Sequence, residues 1–247
     1  TKIFSKPKIV RAVNNVSFTL NKGERLGLVG ESGCGKSTLT RALLGLEEIQ
    51  EGEIRVSGGV VSKNNETSFA SKKNMQVVFQ DPFGSFNPRH KVSKLISEPL
   101  FLDKKIMNKE ELNDLLINTL ISVGLSADDK NKYIHEFSGG QRQRIAIARA
   151  LIVKPEIIIF DEAVSALDVS VRAQILDLLA NLCKTLNLTY IFISHDLSVV
   201  RTITDKVMVM KNGEIVESGK TENILTNPTH NYTKKLIEAA PSLPAFC

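Results

Sequence analysis

The chain has 247 residues, 42% hydrophobic and 24% charged, and 32 basic against 27 acidic side chains give a formal charge of +5. These proportions exclude disorder and collagen-like structure and suit a soluble globular protein with one large domain or two small ones. The longest apolar stretches are short, such as 157–160, whereas a membrane-spanning helix takes about 18 to 20 apolar residues in a row, so the chain itself is not expected to cross a membrane.

The sequence opens at Thr1, with no charged segment leading into an apolar run, so no signal peptide is visible; a trimmed start and a cytosolic compartment are expected. Cys34, Cys183 and Cys247 are odd in number and lack metal-type spacing, which favours reduced thiols over a disulfide framework. The positive charge suits nucleic acid, a membrane surface or an anionic ligand, and no basic block chooses among them.

Val16, Phe18 and Leu20 alternate with polar residues and predict a strand, followed by a turn at Asn21, Lys22 and Gly23 and a second strand over 25–29. After Lys36 the spacing of Leu39, Ala42, Leu43 and Leu46 predicts a helix buried on one face. Residues 57–74 are polar and read as loop and turn, ahead of an apolar strand over 75–79.

The stretch from 81 to 153 reads as mainly helical. Within it Asn108 and Glu111 form a capping-box pattern ahead of Leu112, Leu115, Leu116, Leu120 and Val123. Next come an apolar strand over 157–160, a helix bearing Ile175, Leu178, Leu179 and Leu182, and a strand over 190–193. This alternation is that of a parallel sheet covered by helices. Val207–Met210 and Ile215–Val216 flank Asn212 and Gly213, the dipeptide that suits a type I′ hairpin.

Three segments carry chemistry. Gly30, Glu31, Ser32, Gly33, Cys34, Gly35, Lys36, Ser37 and Thr38 fit the phosphate-loop pattern between strand and helix. There glycines let backbone amides turn around phosphate oxygens, Lys36 adds a cation, the helix start adds its dipole, and the Ser37 hydroxyl suits Mg²⁺. The run 157–160 ends in Asp161 and Glu162, the edge at which a sheet presents groups to a ligand. Asp161 suits Mg²⁺ and Glu162 suits a general base for the attacking water.

Phe137, Ser138, Gly139, Gly140 and Gln141 precede a helix with Ile145, Ala148, Leu151 and Ile152. Alone, this is an ordinary Ser N-cap with flexible glycines; beside a phosphate loop it offers a second helix N-terminus for phosphate.

In this order the segments resemble the ATP-binding subunits of ABC transporters, whose signature is Leu-Ser-Gly-Gly-Gln, with Phe137 here in place of Leu. The resemblance covers essentially the whole chain. It implies an α/β fold: a P-loop NTPase core with a mixed, mainly parallel sheet and flanking helices, an N-terminal antiparallel β subdomain, and an inserted α-helical subdomain. It reads 1–247 as a single ATPase domain, with core and β subdomain at 1–80 and 154–226, helical subdomain at 81–153, and a tail at 227–247.

By the same resemblance the cofactors are ATP and Mg²⁺, and Lys36, Gln80, Glu162 and His195 are catalytic. Residues 30–38, Gln80, Ser138, Gly139, Gly140, Gln141, Asp161 and Asp168 bind nucleotide, and Ser37, Gln80 and Asp161 face the metal. Gln80 is the Q-loop glutamine, Ser165–Asp168 the D-loop and His195 the switch histidine. Phe4 is the visible candidate to stack on adenine. Two such subunits pair head to tail, so that Ser138, Gly139 and Gly140 of one close over nucleotide held by Lys36 of the other.

Residues 80–89, Gln-Asp-Pro-Phe-Gly-Ser-Phe-Asn-Pro-Arg, and the tail His230-Asn231-Tyr232-Thr233 are similar to the peptide and nickel importer branch of that family, with Asn231 where Pro is usual. The branch implies an ATPase on the cytoplasmic face of the membrane beneath two permease subunits. It pairs with a second, paralogous ATPase in preference to its own copy and is served indirectly by an extracytoplasmic solute-binding protein, with no nucleic acid partner. The cargo is nickel, another metal chelate or a peptide.

A DNA-repair or chromosome-organising relative is disfavoured, because Ser138 follows Lys36 by 102 positions without a heptad pattern or paired cysteines between them. A single unfused cassette is unlike a two-cassette translation factor or a fused exporter. A P-loop kinase or GTPase has no use for Ser138-Gly139-Gly140-Gln141.

Overall fold

The computed structural model describes residues 11–63, 66–67, 74–81, 83–102 and 108–240. Its first elements are β1 (Arg25–Val29), α1 (Lys36–Leu43), β2 (Glu53–Val56), β3 (Gly59–Lys63), β4 (Glu66–Thr67) and β5 (Met75–Val78). The helices α2 (Val92–Ser97), α3 (Lys109–Ser122) and α4 (Gly139–Leu151) follow. The chain continues through β6 (Ile157–Asp161), α5 (Val169–Leu186), β7 (Thr189–Ser194), α6 (Leu197–Ile203), β8 (Lys206–Lys211), β9 (Glu214–Lys220), α7 (Thr221–Thr226) and α8 (Asn231–Ala239).

Six strands form the main sheet in the order β5-β6-β7-β1-β8-β9, and β2-β3-β4 form a separate antiparallel sheet. Every pairing in the main sheet is parallel except the β8–β9 hairpin. Its continuous apolar strands are buried on both faces, and their period of two sorts them into two cores. Ile158, Phe160, Tyr190, Phe192, Val207 and Val209 pack with the helices, α2 to α6 among them. Leu26, Leu28, Ile159, Ile191, Ile193, Met208 and Met210 pack with Leu39 and Leu43 of α1.

Phe160 sits at the centre of the first core, fully buried, edge-on to Tyr190 at 5.5 Å and tilted against Phe192 at 5.9 Å between ring centroids. Tyr190 satisfies its buried hydroxyl by donating to the Ile203 carbonyl. Phe160→Ala leaves a cavity among close-packed rings and is expected to cost about 3–5 kcal/mol, read as a lower denaturant midpoint at unchanged slope.

The capping box at α3 forms, with the Asn108 side chain accepting from the amides of Glu110 and Glu111 and the Glu111 side chain accepting from Asn108 N. The two-residue β8–β9 turn has positive φ at both Asn212 (48°) and Gly213 (85°), as a type I′ turn needs.

Residues 16–20 form no strand. Val16, Phe18 and Leu20 are half-buried against the second core, and their alternation records one covered face rather than a paired backbone. The polar reading of 57–74 is corrected by β3, which pairs with β2 through a turn with positive φ at Ser57 and Gly58. Val56, Val61 and Met75 give that small sheet a core of its own. Leu46 lies past the end of α1 and is 60% exposed, and β5 stops at Val78, leaving Phe79 exposed. Phe4, Cys247 and the end of the tail lie outside the described residues, among which no helix is long and apolar enough to cross a membrane.

Candidate functional site

Strand register assembles the site. Phe160 lies beside Val78 on one side and Phe192 on the other, and Val29 lies beside Ser194. The chain therefore leaves the sheet on one edge at Gly30 after β1, Gln80 after β5, Glu162 after β6 and His195 after β7. In a parallel sheet this carboxyl edge is where ligands bind.

A cavity of about 350 Å³ opens there, lined by residues 32–38, Arg11, Ala12, Glu162, Asn212 and Gly213. Gly35 is the N-cap of α1 at φ 114°, a left-handed conformation, and a Cβ on it would lie 2.2 Å from the Ala12 carbonyl oxygen. Only glycine fits that approach. Because a glycine cap has no side chain to offer, the amides of the first turn of α1 keep their donor capacity for an anion.

Lys36 is buried, and its Nζ donates to the carbonyls of Gly30 (2.7 Å) and Glu31 (3.0 Å), with Cys34 Sγ at 3.8 Å. Among the described residues no carboxylate stands within ion-pair distance of it. A buried ammonium held only by neutral acceptors suits a phosphate as its counter-charge.

Burial and the neighbouring Glu162 raise the Asp161 carboxyl above the ordinary carboxylate range, against the pull of Lys36. Two adjacent carboxylates, one of them desolvated, suit a divalent cation. Asp161 does not itself line the cavity, and Ser37, its expected companion at the metal, does.

Glu162 holds a left-handed φ of 50°, fixed by its amide donating to the Ile193 carbonyl (3.0 Å) and by its carbonyl accepting from Ser165 N (3.0 Å) and Ser165 Oγ (2.8 Å). This turn carries its carboxylate into the cavity, where Oε2 lies 3.5 Å from His195 Nδ1. The arrangement offers a base with an imidazole beside it.

Other expected residues lie apart from this cavity. Gln80 is exposed at the same sheet edge. Ser138 caps α4, accepting from Gln141 N (3.3 Å) while the Gln141 side chain accepts from Ser138 N (3.0 Å). Gly139 is exposed, whereas Gly140 is buried, and a Cβ on it would press to 2.5 Å from Val171. Asp168 caps α5, and the Val171 amide and Ser170 hydroxyl that it accepts hold its carboxyl below the usual range. Ser138–Gln141 and Asp168 do not line the cavity formed by the phosphate loop of their own chain.

Several contributors carried no signal in the sequence. Arg11 and Ala12 wall the cavity from a segment without pattern, and Asn212 and Gly213 signalled only a hairpin. Arg172 joins the loop before α5 to the one after β7, donating to the Leu167 carbonyl (3.4 Å) and pairing with Asp196 (3.0 Å), the N-cap of α6. Arg149 of α4 donates to the Ser85 carbonyl (3.1 Å) and hydroxyl (2.9 Å) and lies 4.5 Å from the Phe86 ring centroid, tying the segment after Gln80 to α4.

The family described as ABC transporter matches residues 13–165, and that described as the C-terminal region of oligopeptide/dipeptide transporters matches 216–245. The dipeptide transport ATP-binding protein DppF of Haemophilus influenzae is 49% identical over 242 residues, 98% of this chain and 74% of that protein. The oligopeptide transport ATP-binding protein OppF of Bacillus subtilis is 48% identical over 234 residues, 94% of this chain and 77% of that one.

Among solved structures, cbiO1 of Clostridium perfringens, described as part of the ABC transporter complex cbiONQ, superposes with a TM-score of 0.77 at 27% identity, over 87% of this chain and 84% of that one. A dimeric ATP-binding cassette in a post-hydrolysis state bound to ADP and Pi gives 0.74 at 27% identity, over 88% and 94%.

Proposed function

The chain belongs to the ABC transporter family, as an ATP-hydrolysing subunit that uses ATP and Mg²⁺ beside membrane permease partners, and from that premise we propose that it energises peptide uptake. The observation that carries this reading is the match of 216–245, the β9 to α8 portion of the fold, to the C-terminal region of peptide transporters. The names of the similar relatives favour peptides over nickel as cargo.

ATP bound with Mg²⁺ supplies a phosphoanhydride bond whose hydrolysis drives the transporter. Lys36 and the amides of 33–38 hold the phosphates, and Ser37 and Asp161, with Gln80, serve the metal. Glu162 accepts a proton from the attacking water, and His195 keeps that carboxylate in place. Ser138, Gly139, Gly140 and Gln141, with Asp168, face the nucleotide held by a second ATPase subunit, a paralogue in preference to a second copy. The mainly helical part, 81–153, docks on the permeases at the cytoplasmic face of the membrane, and an extracytoplasmic solute-binding protein delivers the cargo.

Labelled dipeptide and oligopeptide uptake should fall to background in cells whose chromosomal copy carries Glu162→Gln, with nickel accumulation unchanged. Loss of nickel with intact peptide uptake would assign the metal branch instead.

A further inference from the structure

The C-terminal portion reaches the phosphate loop through one side chain. Tyr232, on the first turn of α8, is buried, and its hydroxyl accepts the Glu31 backbone N–H at 3.1 Å. That N–H belongs to the same planar peptide unit as the Gly30 carbonyl, which takes the shorter of the two carbonyl contacts of Lys36, 2.7 Å. In a trans peptide the two groups point in opposite directions, so a partner fixed on the N–H side sets where the carbonyl points. Tyr232 and Lys36 therefore hold one rigid unit from its two ends.

The tyrosine is itself held on several sides. Lys211 Nζ lies 4.9 Å from its ring centroid, one residue before the Asn212–Gly213 turn that lines the cavity. Gly213 N in turn donates to the Cys34 carbonyl at 2.8 Å. The turn leading into α8 is pinned by Glu217 of β9, whose carboxylate accepts from Thr229 N and Thr229 Oγ1 (2.7 Å each) and from His230 N (3.2 Å). The His230 side chain then caps α8 by accepting from Tyr232 N at 3.1 Å. Burial works against the Glu217 charge, but Thr233 of α8, followed by Thr229 and His230 of this turn, holds its carboxyl down at about 2.

We propose that Tyr232 is a positioning residue of the ATP site, orienting the Gly30–Glu31 peptide against which Lys36 rests, so that the C-terminal portion presets the phosphate loop for nucleotide. The proposal rests on reading 30–38 as the phosphate cradle. A loop held in one arrangement loses less freedom when it takes up phosphate.

Tyr232→Phe keeps the ring and its contact with Lys211 and removes only the acceptor. In the full chain it should weaken ATP affinity by about 3- to 10-fold, the range of one hydrogen bond, raising KM with kcat within about twofold. Hydrogen exchange at the Glu31 amide of the nucleotide-free chain should accelerate by a similar factor while amides of α5 keep their rates. A role confined to docking α8 would lower thermal stability without moving KM or that amide.

Lys36→Ala serves as the reference. If it loses ATP affinity while Tyr232→Phe binds as the unaltered chain does, the proposal is overturned and the cradle reading stands. If Lys36→Ala binds ATP normally, the cradle reading falls and the proposal with it. Should Tyr232→Phe not fold, exchange in the unaltered chain decides: a slow Glu31 amide supports the proposal and an unprotected one overturns it.

Discussion

Glu162→Gln should lower ATP turnover by about 100-fold or more while leaving ATP bound. The substitution keeps the shape of the side chain and removes its basicity, so the backbone bonds that fix residue 162 to Ile193 and Ser165 are untouched. What is lost is the acceptor for the proton of the attacking water, and with it the carboxylate that His195 Nδ1 approaches at 3.5 Å. Binding persists because Lys36 and the amides of the loop, which line the same cavity, are left in place. Single-turnover hydrolysis with labelled ATP, beside equilibrium binding of the same preparation, separates the two quantities. Turnover at the unaltered rate would remove Glu162 from the base role.

Lys36→Ala acts on the complementary step. The buried ammonium donates only to the carbonyls of Gly30 and Glu31 and the Cys34 sulfur, with Asp161 near enough to feel its charge but not paired with it, so a phosphate would be its first directly bonded anion among the described residues. Hydrogen bonds to charged groups contribute about 1.5–3 kcal/mol, which sets the expected loss of ATP affinity at roughly 10- to 150-fold. The nucleotide-free chain should not lose comparable stability, since the substitution removes a buried charge that has no ion-pair partner. Titration calorimetry and thermal melting without nucleotide test both halves. Unchanged ATP affinity would contradict the cradle.

Much of this was legible in the sequence because it is local. The phosphate loop, the Asp161–Glu162 strand end and the Ser138 cap are each contiguous runs beside an apolar strand or an amphipathic helix, and the register of β5, β6, β7 and β1 brings their ends to one edge. The hairpin at Asn212 and Gly213 was equally visible, since two adjacent residues with positive φ admit few side chains.

The rest depends on contacts between distant parts of the chain. Tyr232 and Glu31 are 201 residues apart, and nothing near either announces the other. Arg11 and Ala12 become a cavity wall only because α1 and the β8–β9 turn come against them. The hairpin of β2 and β3 was missed because its strands bury few residues, Val56 and Val61 among them, so polar composition outweighed pairing. Residues 16–20 failed the other way, with an alternation that a half-buried extended segment produces without a ladder.

Ser138–Gln141 and Asp168 do not line the cavity of their own chain, and the proposed function places them against the nucleotide of a second ATPase subunit. The most direct test is sedimentation of the Glu162→Gln chain, alone and mixed with the paralogous ATPase proposed as its partner, with and without MgATP. The expected result is a pair of ATPase subunits that forms only with MgATP and is lost when Ser138→Arg is added. ATP bound at saturation with no change in sedimentation would contradict a site shared between two chains.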